Sequence, residues 1–103
     1  MKLMTKELLA TLPALYSQEN VSDPTVVCKF FDPCGSWTWF VLEGAPEGDD
    51  VRFFGLVHGL EVELGYFMMS ELQSVKGPLG LGIERDLHWR PVPLSQVKAR
   101  IPR

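Results

Sequence analysis

Two short segments hold the side chains best suited to chemistry. In Glu84-Arg85-Asp86-Leu87-His88-Trp89, an extended backbone would send Glu84, Asp86 and His88 to one face and Leu87 and Trp89 to the other. Two carboxylates and an imidazole on one face suit a divalent metal or a general acid/base group. The second segment holds Glu61, Glu63 and Tyr66, with His58 just ahead of them. Joined in space to Glu84 and Asp86, Glu61 and Glu63 would form a carboxylate cluster able to bind Mg²⁺ or Mn²⁺ and to serve a hydrolase or nucleic-acid-processing enzyme. Each segment also has a plainer reading. Glu84, Asp86 and His88 make a solvated strand face with Arg85 or Arg90 pairing the acids, while acids beside Gly59 and Gly65 are ordinary turn residues.

Other chemistries are poorly served. Cys28, Cys34, His58 and His88 match no zinc-finger or zinc-ribbon spacing, so no structural zinc site is expected, and the leading reading carries no metal or cofactor. The loop Gly77-Pro78-Leu79-Gly80-Leu81-Gly82 has the wrong glycine order for a dinucleotide site and lacks the Gly-Lys-Ser/Thr ending of a P-loop. There is no Gly-x-Ser-x-Gly turn, and no base is placed to serve Cys34. Trp37 and Trp39 share a strand face and could stack bases, but their acidic neighbours Asp32 and Glu43 favour core packing or a partner surface.

Charge gives little direction. Residues 1–50 carry three Lys against eight acids, and residues 51–103 carry seven Lys/Arg against five acids. Arg85, Arg90, Lys98, Arg100 and Arg103 make the C-terminal end basic, which permits a weak nucleic-acid reading without requiring it. Two cysteines make no disulfide framework and fit free thiols in a reducing cytosol. No run approaches the ~20 apolar residues of a membrane span, and the N-terminus lacks a clean cleavage site. A cytoplasmic location is therefore expected.

The elements that must position these residues follow from local signals. A chain of 103 residues suits a single domain over 1–103. Thr5 should cap a helix over Lys6–Leu12 that Pro13 ends. Three strand-like runs follow, Thr25–Phe31, Trp37–Leu42 and Val51–Val57, with polar connections at Asp32–Ser36 and Glu43–Asp50. Leu60–Gly65 reads as a turn, Tyr66–Met69 as a short strand and Ser70–Gln73 as a capping box for a helix over Glu71–Val75. Ile83–Arg90 reads as a strand, and Ser95 as the cap of a helix over Gln96–Ile101. The expected fold is α+β, a small antiparallel sheet of about four to five strands with two to three short helices. In that reading both sheet faces are apolar, with Val26, Cys28 and Phe30 opposing Val27 and Phe31. Helices and loops must cover both sides, or one face must be an interface.

The blocks Leu12-Pro13-x-Leu15-Tyr16, Lys29-Phe30-Phe31, Trp37-Thr38-Trp39 and Phe53-Phe54-Gly55 occur in order along the chain. Gly59-Leu60-Glu61-x-Glu63-Leu64-Gly65-Tyr66-Phe67, Gly77-Pro78-Leu79-Gly80-Leu81 and Ile83-Glu84-Arg85-Asp86-Leu87 continue the series. With these the sequence resembles the bacterial family catalogued as domain of unknown function 2958. The resemblance implies a small cytoplasmic accessory protein, often encoded on mobile elements, and carries no catalytic residue. The leading expectation is a non-enzymatic binding module for a protein partner or its own copy, with Trp37, Trp39, Tyr66, Arg85 and Arg90 as candidate contacts.

Overall fold

The computed structural model describes residues 2–101. The first helix forms where its caps place it. Thr5 accepts a hydrogen bond from the Leu8 N–H at 3.1 Å, α1 runs Lys6–Thr11, and Pro13 follows its end. The sheet is built by four consecutive antiparallel strands: β2 (Cys28–Phe31), β3 (Thr38–Glu47), β4 (Asp50–His58) and β5 (Val62–Met68). A two-residue strand β6 (Glu84–Arg85) adds to the far side of β2, giving the order β5-β4-β3-β2-β6. A second, two-stranded sheet pairs β1 (Thr25–Val26) with β7 (Val92–Pro93). Helices α2 (Met69–Ser74) and α3 (Leu94–Arg100) complete the α+β fold. Among the described residues, seven strands in two sheets exceed the four to five expected, because several pairings are too short to leave a sequence signal.

Both faces of the sheet are apolar and both are covered, but unequally. On one side Cys28, Phe30, Trp39, Val41, Phe53 and Phe67 pack against the N-terminal segment, α1 and α2. On the other, Phe40, Leu42 and Leu56 pack beneath α3 through Leu94 and Val97, with Trp89 beside them. The Trp89 indole N–H donates to the Val26 carbonyl at 3.1 Å, and its ring lies 5.9 Å from Phe40. α3 begins at Leu94, not at Gln96. Ser95 is not its cap; its N–H and hydroxyl donate to Asp23 at 2.9 and 2.6 Å, fixing the helix to the loop before β1.

Several local expectations are corrected by pairing. Thr25–Phe31 is not one strand. It breaks at Val27, so Val26 serves the α3 side while Cys28 and Phe30 serve the α1 side. Glu43–Asp50 is not a polar connection: β3 continues to Glu47 and turns through Gly48 (φ +59°) and Asp49 into β4. Pro46 is tolerated there because β2 no longer runs beside that part of β3. Leu60–Gly65 is not a turn either, since β5 begins at Val62. The capping contact of α2 lies two residues earlier than expected, with the Glu71 carboxylate accepting the Met68 N–H at 2.9 Å. Ile83–Arg90 is strand only at Glu84–Arg85.

Candidate functional site

The carboxylates do not converge. Glu61 precedes β5 and Glu63 lies on it, whereas Glu84 lies on β6 at the opposite sheet edge. Four strand spacings separate those edges, about 19 Å. They also face different sides: Glu63 pairs with Val57 and sits with Phe67 on the α1 side, while Glu84 pairs with Phe31 on the α3 side. Beyond Arg85 the chain turns. Asp86 accepts the His88 N–H at 2.9 Å and the Trp89 N–H through its carbonyl at 3.3 Å, so Leu87 points outward at 63% exposure. Among the described residues, no three His, Cys, Asp or Glu side chains stand together as a metal site.

The other candidates are also dispersed. Trp39 is buried in the core, while Trp37, 40% exposed, packs over Gly59 with its ring 5.9 Å from Trp39. Arg85 is committed to the fold, donating to the Leu3 carbonyl at 2.7 Å on the α1 side. Arg90, Lys98 and Arg100 are exposed, the last two on α3, so no single basic face forms with Arg85. Arg103 lies outside the described residues.

Tyr66 is the exception: it lines a cavity together with residues from other elements. A bulge between Val41 and Glu43 sets two residues of β3 against Phe54 of β4. Strict alternation would put Glu43 on the α1 side with Val41. The bulge instead places Leu42 and Glu43 together on the α3 side. Glu43 is thereby buried, 3% exposed. Its two carboxylate oxygens accept the N–H groups of Tyr16 and Gln18, each at 2.8 Å. The Gln18 side chain ties the same loop to the sheet, donating to the Leu42 and Thr25 carbonyls at 2.7 and 3.1 Å and accepting the Thr25 N–H at 2.8 Å. These bonds hold Tyr16 in the left-handed region, φ +70°, with its ring above the sheet.

The result is a cavity of about 400 Å³, whose walls include Tyr16, Gln18, Glu43, Phe54 and Tyr66 from the loop and sheet and Lys98 from α3. The Phe54 and Tyr66 rings lie 4.9 Å apart and tilted by 52°, and Tyr16 lies 6.3 Å from Tyr66. Desolvation, then the neighbouring Tyr16 phenol, raises the Tyr66 hydroxyl above its ordinary pKa of 10. α3 packs chiefly over β3 and β4 through Leu94 and Val97, leaving β5 less covered. Val62, Leu64 and Tyr66 therefore remain 43%, 47% and 47% exposed on the side that α3 covers elsewhere. The sequence singles out Tyr66 but not Tyr16, Gln18 and Glu43, which line the same cavity, because a bulge has no local signature in an apolar run.

Fold and groove together define a small α+β protein with an open sheet edge beside an aromatic pocket. The chain belongs to the family described as protein of unknown function (DUF2958), whose model matches residues 3–100. No curated protein and no solved structure matches it. Among the described residues no helix is long and apolar enough to cross a membrane.

Proposed function

We propose that this protein is a non-enzymatic interaction module that receives an extended segment of a partner polypeptide along β5. The observation that carries this reading is the state of that strand. β5 is seven residues long and ends the sheet, and among the described residues no strand pairs with its outer row of main-chain groups. Its exposed apolar side chains fall at every second position, the spacing at which an added strand supplies contacts. The setting suggested by the family resemblance, an accessory role in the bacterial cytoplasm on mobile elements, belongs to the same proposal.

The test is selection of displayed peptides on the full chain, followed by amide exchange with each selected peptide bound. Peptides that add to the sheet slow exchange within residues 62–68 and lose binding to Leu64→Asp. Peptides that bind while leaving β5 exchange unchanged overturn the reading. A stable dimer closed through β5 would assign the edge to a second copy and overturn it too.

A further inference from the structure

We propose that the pocket between Tyr16, Phe54 and Tyr66 takes an organic cation, the side chain of a Lys or Arg on the polypeptide docked along β5. This rests on the docking reading above and names what that reading leaves open, the chemistry of the partner. Glu43 is the starting point. Its carboxylate is buried and accepts two backbone N–H groups, which solvate the charge without cancelling it. Among the described residues no cation pairs with it; the ion pair formed there is Arg52 with Glu47. Buried carboxylates are ordinarily matched by a positive charge, and here that charge is left for a ligand.

The walls fit such a ligand. Three aromatic rings line a space of about 400 Å³, and aromatic ring faces attract ammonium and guanidinium groups. The protein already uses one of them this way. The Arg52 guanidinium stands 5.8 Å from the Tyr66 ring centre, held in place by two 3.0 Å hydrogen bonds to Glu47. Lys98 of α3 also lines the pocket, but it is exposed, makes no ion pair with Glu43 among the described residues, and lies near Asp23. Location connects pocket and edge: Leu64 and Tyr66 belong to both. A strand paired with β5 places its same-face side chains beside these two residues, within reach of the pocket for a long cationic side chain.

The experiment uses the full chain, ¹⁵N-labelled, titrated at fixed ionic strength with n-butylguanidinium chloride and with the neutral isostere n-butylurea. The cation is expected to shift the amides of Tyr16, Glu43 and Tyr66 and to bind at least about tenfold tighter than the urea. Glu43→Gln and Tyr66→Ala should each weaken it by about tenfold, whereas Lys98→Glu should strengthen it. If Glu43→Gln fails to fold, Tyr66→Ala and Lys98→Glu still decide. Equal response to both probes, or affinity indifferent to those two variants, overturns the proposal. Selected peptides separate it from the docking reading. Peptides that pair with β5 but bind equally well after Lys/Arg→norleucine overturn the cation site and leave docking intact. Saturation by butylguanidinium without any peptide on β5 supports the site and removes docking.

Discussion

The Glu43 carboxylate accepts the Tyr16 backbone N–H at 2.8 Å across 27 residues of sequence. With the parallel bond to Gln18, it fixes the loop between α1 and β1 against the bulged part of β3. Glu43→Ala leaves two donors near the sheet without their acceptor. It should destabilise the protein by about 2–4 kcal/mol, read from urea denaturation. Loss should be visible first as faster amide exchange at residues 16–18.

Two glycines of adjacent strands should respond oppositely. Gly55 on β4 and Gly65 on β5 are direct partners. A Cβ at Gly55 would fall on the Phe40 carbonyl oxygen, whereas one at Gly65 would meet nothing within 4 Å. Gly55→Ala should cost about 3–5 kcal/mol by forcing β3 and β4 apart. Gly65→Ala should be neutral or stabilising by about 0.5–1 kcal/mol, since it only restricts the unfolded chain. Thermal unfolding of the pair checks both signs.

The Asp23–Ser95 contact predicts an acid limb to stability. The Ser95 hydroxyl and N–H hold the Asp23 carboxyl below its ordinary value of 3.8. A group lowered in the folded state contributes fully above its unfolded pKa, and the contribution is lost as pH falls through the folded value. The melting temperature should therefore drop more steeply as pH falls below about 4 in the parent than in Asp23→Asn. An identical slope in the two proteins would contradict the assignment.

The two thiols should separate by reactivity. Cys28 is buried in the α1-side core, and burial pushes its thiol up to about 11. Cys34 is exposed in the turn between β2 and β3. Iodoacetamide at neutral pH should alkylate Cys34 in the native protein and reach Cys28 only after denaturant is added, as read by mass spectrometry.

What the sequence determined by itself was local. Thr5 and Pro13 bound α1, the Asp32–Ser36 turn joins β2 to β3, and aromatic runs become the central strands, because each signal acts within a few residues. The α+β class and the apolar character of both sheet faces followed from the same signals. Tertiary structure alone decided which carboxylates meet. Strand order put Glu63 and Glu84 on opposite edges, and the short β6 ended before Asp86 and His88 could share a strand face. It also decided the fate of Glu43, which local composition assigns to solvent. One extra residue in β3 turns that side chain inward, and only the backbone of a loop more than 20 residues away makes its burial tolerable. Pairing register and partner identity are non-local, so a site built from them is invisible until the chain is folded.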